Sequence, residues 1–244
     1  MGMARLSDLI ATIAEAGGPP IASLNVIGRA LREAGLVATG GRGAAGAQMT
    51  PSDLANVLLG LPALGEHTKA ADTVARVGSL QLLNARDARD ARSTHQIPGL
   101  LEYMCPGLGI ARWDTLHTAL SSLVSILSPD EVVSEKEVAF VRDASKPFNP
   151  FENWDVESDW GDPTPISLTI IFKRDGDYFS SDLLIEQKGG GVVRLDFRTS
   201  KDHHRPDDAG GAARGGIEAT FRVKPLLVAA ATRCIRDAAQ TSHQ

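Results

Sequence analysis

The sequence predicts an α+β protein: a helical, helix-turn-helix-like N-terminal domain, then a small antiparallel-sheet domain with a C-terminal helix. Three observations predict it. Apolar residues recur at three- and four-residue spacing up to about residue 127. Beyond Pro165 the period changes to two. Between them, residues 130–162 carry 3 basic and 10 acidic residues, more than the chain's whole net charge of −5. The expected units are a helical region over 1–96, a helical connector or oligomerisation segment over 97–142, an acidic aromatic linker over 143–165, and a sheet-plus-helix domain over 166–244.

The first helix reads from Leu6 to Ala16, with Leu6, Leu9, Ile10 and Ile13 on one face. Gly17-Gly18-Pro19-Pro20 ends it. A second helix runs from about Ala22 to Ala34. Its apolar stripe is Ile21, Leu24, Ile27, Leu31 and Leu36, and Gly35 suits its C-terminus. The glycine-rich stretch 38–49 has no core-forming pattern. Thr50-Pro51-Ser52-Asp53 then supplies an N-cap, a proline at the first helical position and an acidic residue at the third. The third helix covers Asp53 to Leu61, and a fourth is expected from Lys69 to Leu83. Residues 84–96 either extend it or form an exposed arm.

Arg112 to Leu127 is amphipathic, with Leu116, Leu120, Leu123, Val124 and Leu127 on one side. This face suits either self-association or the chain's own core. Strands are expected at 166–172, 178–187, 192–198 and 217–223. Asp175-Gly176-Asp177 and Gly189-Gly190-Gly191 mark turns. A helix from Pro225 to Ala239 closes the chain.

Composition narrows the function. A chain that is 43% hydrophobic and 23% charged builds a core and is not globally disordered. Aromatics at 5% are too few for a surface that stacks many bases or sugars. Cys105 and Cys234 stand far apart, which fits neither a disulfide framework nor a zinc knuckle. No signal-peptide pattern or long apolar run appears, so a cytoplasmic, non-membrane protein is expected.

The most organised segment is helix 2, the glycine-rich arm and helix 3, an order like that of a winged helix-turn-helix protein, where two short helices precede a loop that touches a groove or the backbone. Helix 1 and its turn precede it. The break at residues 17–20 has roughly helix-turn-helix length. Arg29, Arg32 and Arg42 are placed to meet phosphates, and Asn25 to read an adenine edge. The alternative is that these helices only pack against their neighbours.

Residues 27–61, about a seventh of the chain, resemble a segment of uncharacterised phage and prophage proteins from GC-rich alphaproteobacteria. Arg29, Leu31, Arg32, Ala34, Gly35, Leu36, Gly40, Gly41, Arg42, Gly43, Thr50 and Asn56 carry the likeness. In those proteins the segment looks like part of a DNA-binding domain. The resemblance implies a phage-related DNA function, with transcriptional regulation and packaging-site recognition by a small terminase subunit both open.

Other motifs are less complete. Gly40, Gly41, Gly43 and Gly46 have no lysine among them and follow a helix, which a phosphate-binding loop does not. Asp182, Glu186 and Lys188 share one face of a strand, as in a metal-dependent nuclease, but equally as on any solvated strand face. His203 and His204 lie on a polar stretch, and His67, His95 and His117 are isolated. No cofactor, metal or catalytic residue is assigned. The expectation is a non-catalytic, homo-oligomeric duplex-DNA-binding protein with a protein partner on its C-terminal domain. The rivals are an interaction protein anchored by Trp154 and Trp160, and the nuclease.

Overall fold

The computed structural model describes residues 4–38, 47–63, 66–87, 115–127, 165–175, 178–187, 192–199 and 219–241. They form N-terminal helices, an antiparallel sheet and a C-terminal helix, an α+β architecture.

Helix α1 (Leu6–Glu15) buries Leu6, Leu9, Ile10 and Ile13. It stops because Gly17 adopts φ +84, which closes a Schellman turn. Gly18 N–H donates to the Ile13 carbonyl at 2.9 Å and Gly17 N–H to the Ala14 carbonyl at 3.2 Å. Helix α2 (Ile21–Glu33) buries Leu24, Ile27, Gly28 and Leu31. It ends by the same device: Gly35 has φ +70, and Leu36 N–H donates to the Leu31 carbonyl at 2.9 Å. One expected stripe residue is misplaced. Ile21 is 52% exposed, because it opens the helix beside the proline turn, outside the buried arc.

Helix α3 (Pro51–Gly60) is the hub, with every residue from Asp53 to Gly60 buried. It packs against α2, α4 (Ala70–Gly78) and α5 (Leu116–Ile126). Its partner α5 buries Leu116, Ala119, Leu120, Leu123 and Val124. The apolar face considered for self-association is therefore spent on the chain's own core.

The expected fourth helix continued to Leu83, but α4 ends at Gly78. Ser79 Oγ donates to the Arg76 carbonyl at 3.0 Å, satisfying a terminal acceptor. Residues Gln81–Asp87 then form strand β1. Pairing with an existing sheet outweighs the weak helical preference of this run. Of the expected polar arm 84–96, residues 84–87 are strand and the rest lies outside the described residues.

Strands β2 (Pro165–Asp175), β3 (Tyr178–Gln187), β4 (Val192–Arg198) and β5 (Ala219–Val223) complete the sheet, in the order β1-β4-β3-β2-β5. All its pairs are antiparallel. Alternation sets the faces: Leu168, Ile170, Phe172, Leu183, Ile185, Val193, Leu195 and Phe197 all point to the core. Helix α6 (Pro225–Thr241) packs on β2 and on α1. Residues 81–87, within the expected helical unit 1–96, thus supply an edge strand to the sheet of the expected unit 166–244. The buried residues of helices and sheet form a single apolar cluster.

Candidate nucleic-acid interface

The residues of the α1–α2 region that point outward come from helical spacing. Leu24, Ile27, Gly28 and Leu31 face the core, so the opposite arc of α2 faces solvent. Asn25, Arg29 and Arg32 lie on that arc and are exposed. Neither arginine forms an ion pair among the described residues. Glu33 is the acidic residue on the same side. Helix α2 also begins without a side-chain cap, after Pro20. Its first N–H groups therefore have no capping side-chain acceptor, and the positive end of the helix dipole lies beside the turn. That turn carries a shallow depression of about 470 Å³ lined by Ala11, Ala14, Pro19, Pro20 and Ile21 among others.

The second component is the base of the glycine-rich arm. Asp53, 7% exposed, accepts from Ala38 N–H through Oδ1 at 2.8 Å. Its Oδ2 accepts from Thr50 N–H at 2.8 Å and from the Thr50 hydroxyl at 2.7 Å. In return Thr50 Oγ1 accepts from Asp53 N–H at 3.2 Å, completing a capping box. One turn on, Asn56 Nδ2 donates to the Leu36 carbonyl at 2.6 Å. Met49 N–H donates to the Ala4 carbonyl at 3.1 Å. The two ends of the arm are thus pinned to α3, close to the C-terminal end of α2. Arg42, the remaining expected phosphate contact, lies outside the described residues.

The sequence named Thr50 and Asp53 only as a helix start. It did not indicate that Asp53 also reaches Ala38. That bond joins residues fifteen apart in sequence, and local spacing carries no signal for it.

The sheet's other face holds a charged cluster. Asp182 and Asp196 sit directly opposite each other on β3 and β4. Asp182 Oδ2 accepts from Lys173 Nζ at 3.1 Å and from Arg194 Nη2 at 2.8 Å. Arg194 Nε also donates to Asp196 Oδ1 at 3.0 Å. Burial alone would raise the Asp182 carboxyl. The Asp196 carboxyl directly opposite and the charges of Arg194 and Lys173 outweigh burial, and hold it below its usual range. Of the expected nuclease set, Glu186 is half-buried on the same strand and Lys188 lies outside the described residues. Oδ2 of Asp182 already serves two side-chain cations. Among the described residues no group of three or more His, Cys, Asp or Glu is placed to hold a metal.

His203, His204, Trp154 and Trp160 lie outside the described residues. His117 on α5 has Nε2 3.4 Å from Ser52 Oγ. No helix among the described residues is long and apolar enough to cross a membrane.

Compared with known proteins, the chain matches no family model and has no significant match to a curated protein or to a solved structure.

Proposed function

We propose that this chain is a non-catalytic duplex-DNA-binding protein, a phage- or prophage-related regulator or packaging-recognition subunit. Helix α2 enters the major groove, and Arg29, Arg32 and Arg42 contact the phosphate backbone. The observation that carries this reading is the outward arc of α2. Asn25, Arg29 and Arg32 share it, solvated and without ionic partners among the described residues. Two arginines held on a rigid helix lose little freedom on meeting phosphates. A chain of net charge −5 relies on such local contacts, since its overall field does not attract DNA.

The test is binding to mixed-sequence duplex DNA across a salt series. Affinity should fall steeply with salt, because each neutralised phosphate contributes about 0.9 to the log–log slope. Changing Arg29, Arg32 and Arg42 together to alanine should flatten the slope by about three such contacts. Light scattering of the same mixtures gives the number of chains per duplex. Absence of binding even at low salt overturns the proposal.

A further inference from the structure

Among the described residues, three large apolar side chains stand out as exposed: Ile21 at 52%, Val26 at 39% and Leu226 at 41%. Single exposed apolar residues are ordinary on protein surfaces. The placement of two of these is not, because Ile21 and Val26 both lie on α2 and flank its polar arc. At about 100° per residue, Arg29 lies near the middle of the exposed arc. Asn25 falls about 40° to one side with Ile21 about 40° beyond it, and Val26 falls about 60° to the other side. Ile21 and Asn25 are four residues apart and Val26 and Arg29 three, so each polar group has an apolar neighbour on the helix surface. All four belong to the first three turns after the uncapped N-terminus, the part of a groove-bound helix that meets base edges.

We infer that α2 reads A·T base pairs in the major groove, with Asn25 on adenine and Ile21 and Val26 against thymine methyl groups. The inference rests on the DNA-binding reading above and adds its sequence class. The chemistry is specific. An asparagine amide matches the N6 donor and N7 acceptor of adenine. The thymine C5-methyl is the apolar group exposed in the major groove, and branched aliphatic side chains complement it. A face built only for phosphates would gain nothing from two solvent-exposed aliphatics flanking its arginines. The arginines on this arc can meet phosphate or guanine, but among the base-pair edges only the thymine methyl gives the two aliphatics an apolar partner.

The experiment selects bound duplexes from a random-sequence library, then modifies the enriched site. We expect the enriched site to contain A·T pairs. Replacing one contacted thymine by uracil removes only a methyl group and should weaken the wild-type protein about fourfold. The same replacement should leave Ile21→Ala/Val26→Ala unaffected. Replacing the contacted adenine by 7-deazaadenine should weaken the wild type and leave Asn25→Ala unaffected. Because the base changes alter only the DNA, the result does not depend on how the variants fold. An enriched site of G·C pairs alone, or full tolerance of uracil by the wild type, overturns the inference. Salt-dependent binding with no enriched sequence also overturns it, while leaving the DNA-binding reading standing. Absence of any binding at low salt removes both.

Discussion

Ala38 and Asp53, fifteen residues apart, are joined by a 2.8 Å hydrogen bond from the Ala38 N–H to Oδ1 of the Asp53 side chain. The other oxygen of the same carboxylate takes Thr50. One side chain therefore ties Ala38 to the start of α3 and caps that helix. Asp53→Ala removes three acceptor contacts and leaves part-buried N–H groups without partners. The expected cost is about 2–4 kcal/mol of unfolding free energy. Asp53→Asn keeps one good acceptor oxygen and should cost about half as much. Urea denaturation measures both, and amide exchange at Ala38 should accelerate in each. A slow Ala38 amide in Asp53→Ala would show that Ala38 is held by something else.

The α1–α2 turn gives a second prediction. A β-carbon on Gly18 would lie 2.5 Å from the Ile13 carbonyl oxygen and 3.1 Å from Leu227 Cδ1. The first of these is backbone and cannot swing aside. Gly18→Ala should cost about 1–3 kcal/mol and loosen the docking of α6 on α1. At Gly17 nothing lies within 4 Å, so Gly17→Ala meets only the penalty of positive φ, about 1 kcal/mol. Thermal unfolding of the two variants should rank Gly18→Ala as the less stable, and the reverse order refutes the steric argument.

These two sites show what the sequence does and does not carry. Gly17, Gly35 and the Thr50-x-x-Asp53 box act within a few residues of themselves, so their roles follow from spacing. The alternation of Val193, Leu195 and Phe197 likewise places β4 with one face inward. Strand β1 was hidden because Gln81 to Asp87 gains its stability from β4, over a hundred residues away. The Ala38–Asp53 bond and the Lys173–Asp182–Arg194 cluster were hidden for the same reason. Asn25, Arg29 and Arg32 were legible as one face once Leu24, Ile27 and Leu31 defined the other. Ile21 was misread because its spacing matches the buried stripe while its place at the proline turn does not.

A third prediction concerns Asp182, whose carboxyl is held below its ordinary value. A group with a depressed folded pKa stabilises the native state above its unfolded pKa, 3.8 here. That stabilisation is lost as pH falls through the folded value. The Asp182 contribution should therefore be lost below about pH 3.8, and Asp182→Asn, which cannot take up that proton, should have a shallower acid limb. At neutral pH the variant loses two charge-assisted contacts. Lys173 and Arg194 retain 37% and 30% side-chain exposure and rehydrate, which limits the cost to about 1–3 kcal/mol. On the proposed reading any DNA affinity should be unchanged, because the cluster lies on the sheet and not on α2. DNA binding by the wild type that is lost in a folded Asp182→Asn would count against α2 as the interface.

His117 gives the last prediction, with the pH limit near neutrality. Burial beside α3 lowers its pKa below the ordinary 6.5. Its Nε2 faces Ser52, in the first turn of α3, where the positive end of the helix dipole also disfavours an imidazolium. The native state thus prefers the neutral ring. Stability from this preference is complete above pH 6.5 and declines as pH falls from there to the folded pKa. Below the folded pKa both states carry the proton and this contribution stops changing. His117→Gln cannot take up that proton, so its stability should decline less over this window. Paired urea denaturation curves between about pH 8 and 5 isolate the histidine, since every other titrating group is common to both proteins. Parallel pH profiles would show that the His117 ring is as well hydrated in the folded chain as in the unfolded one.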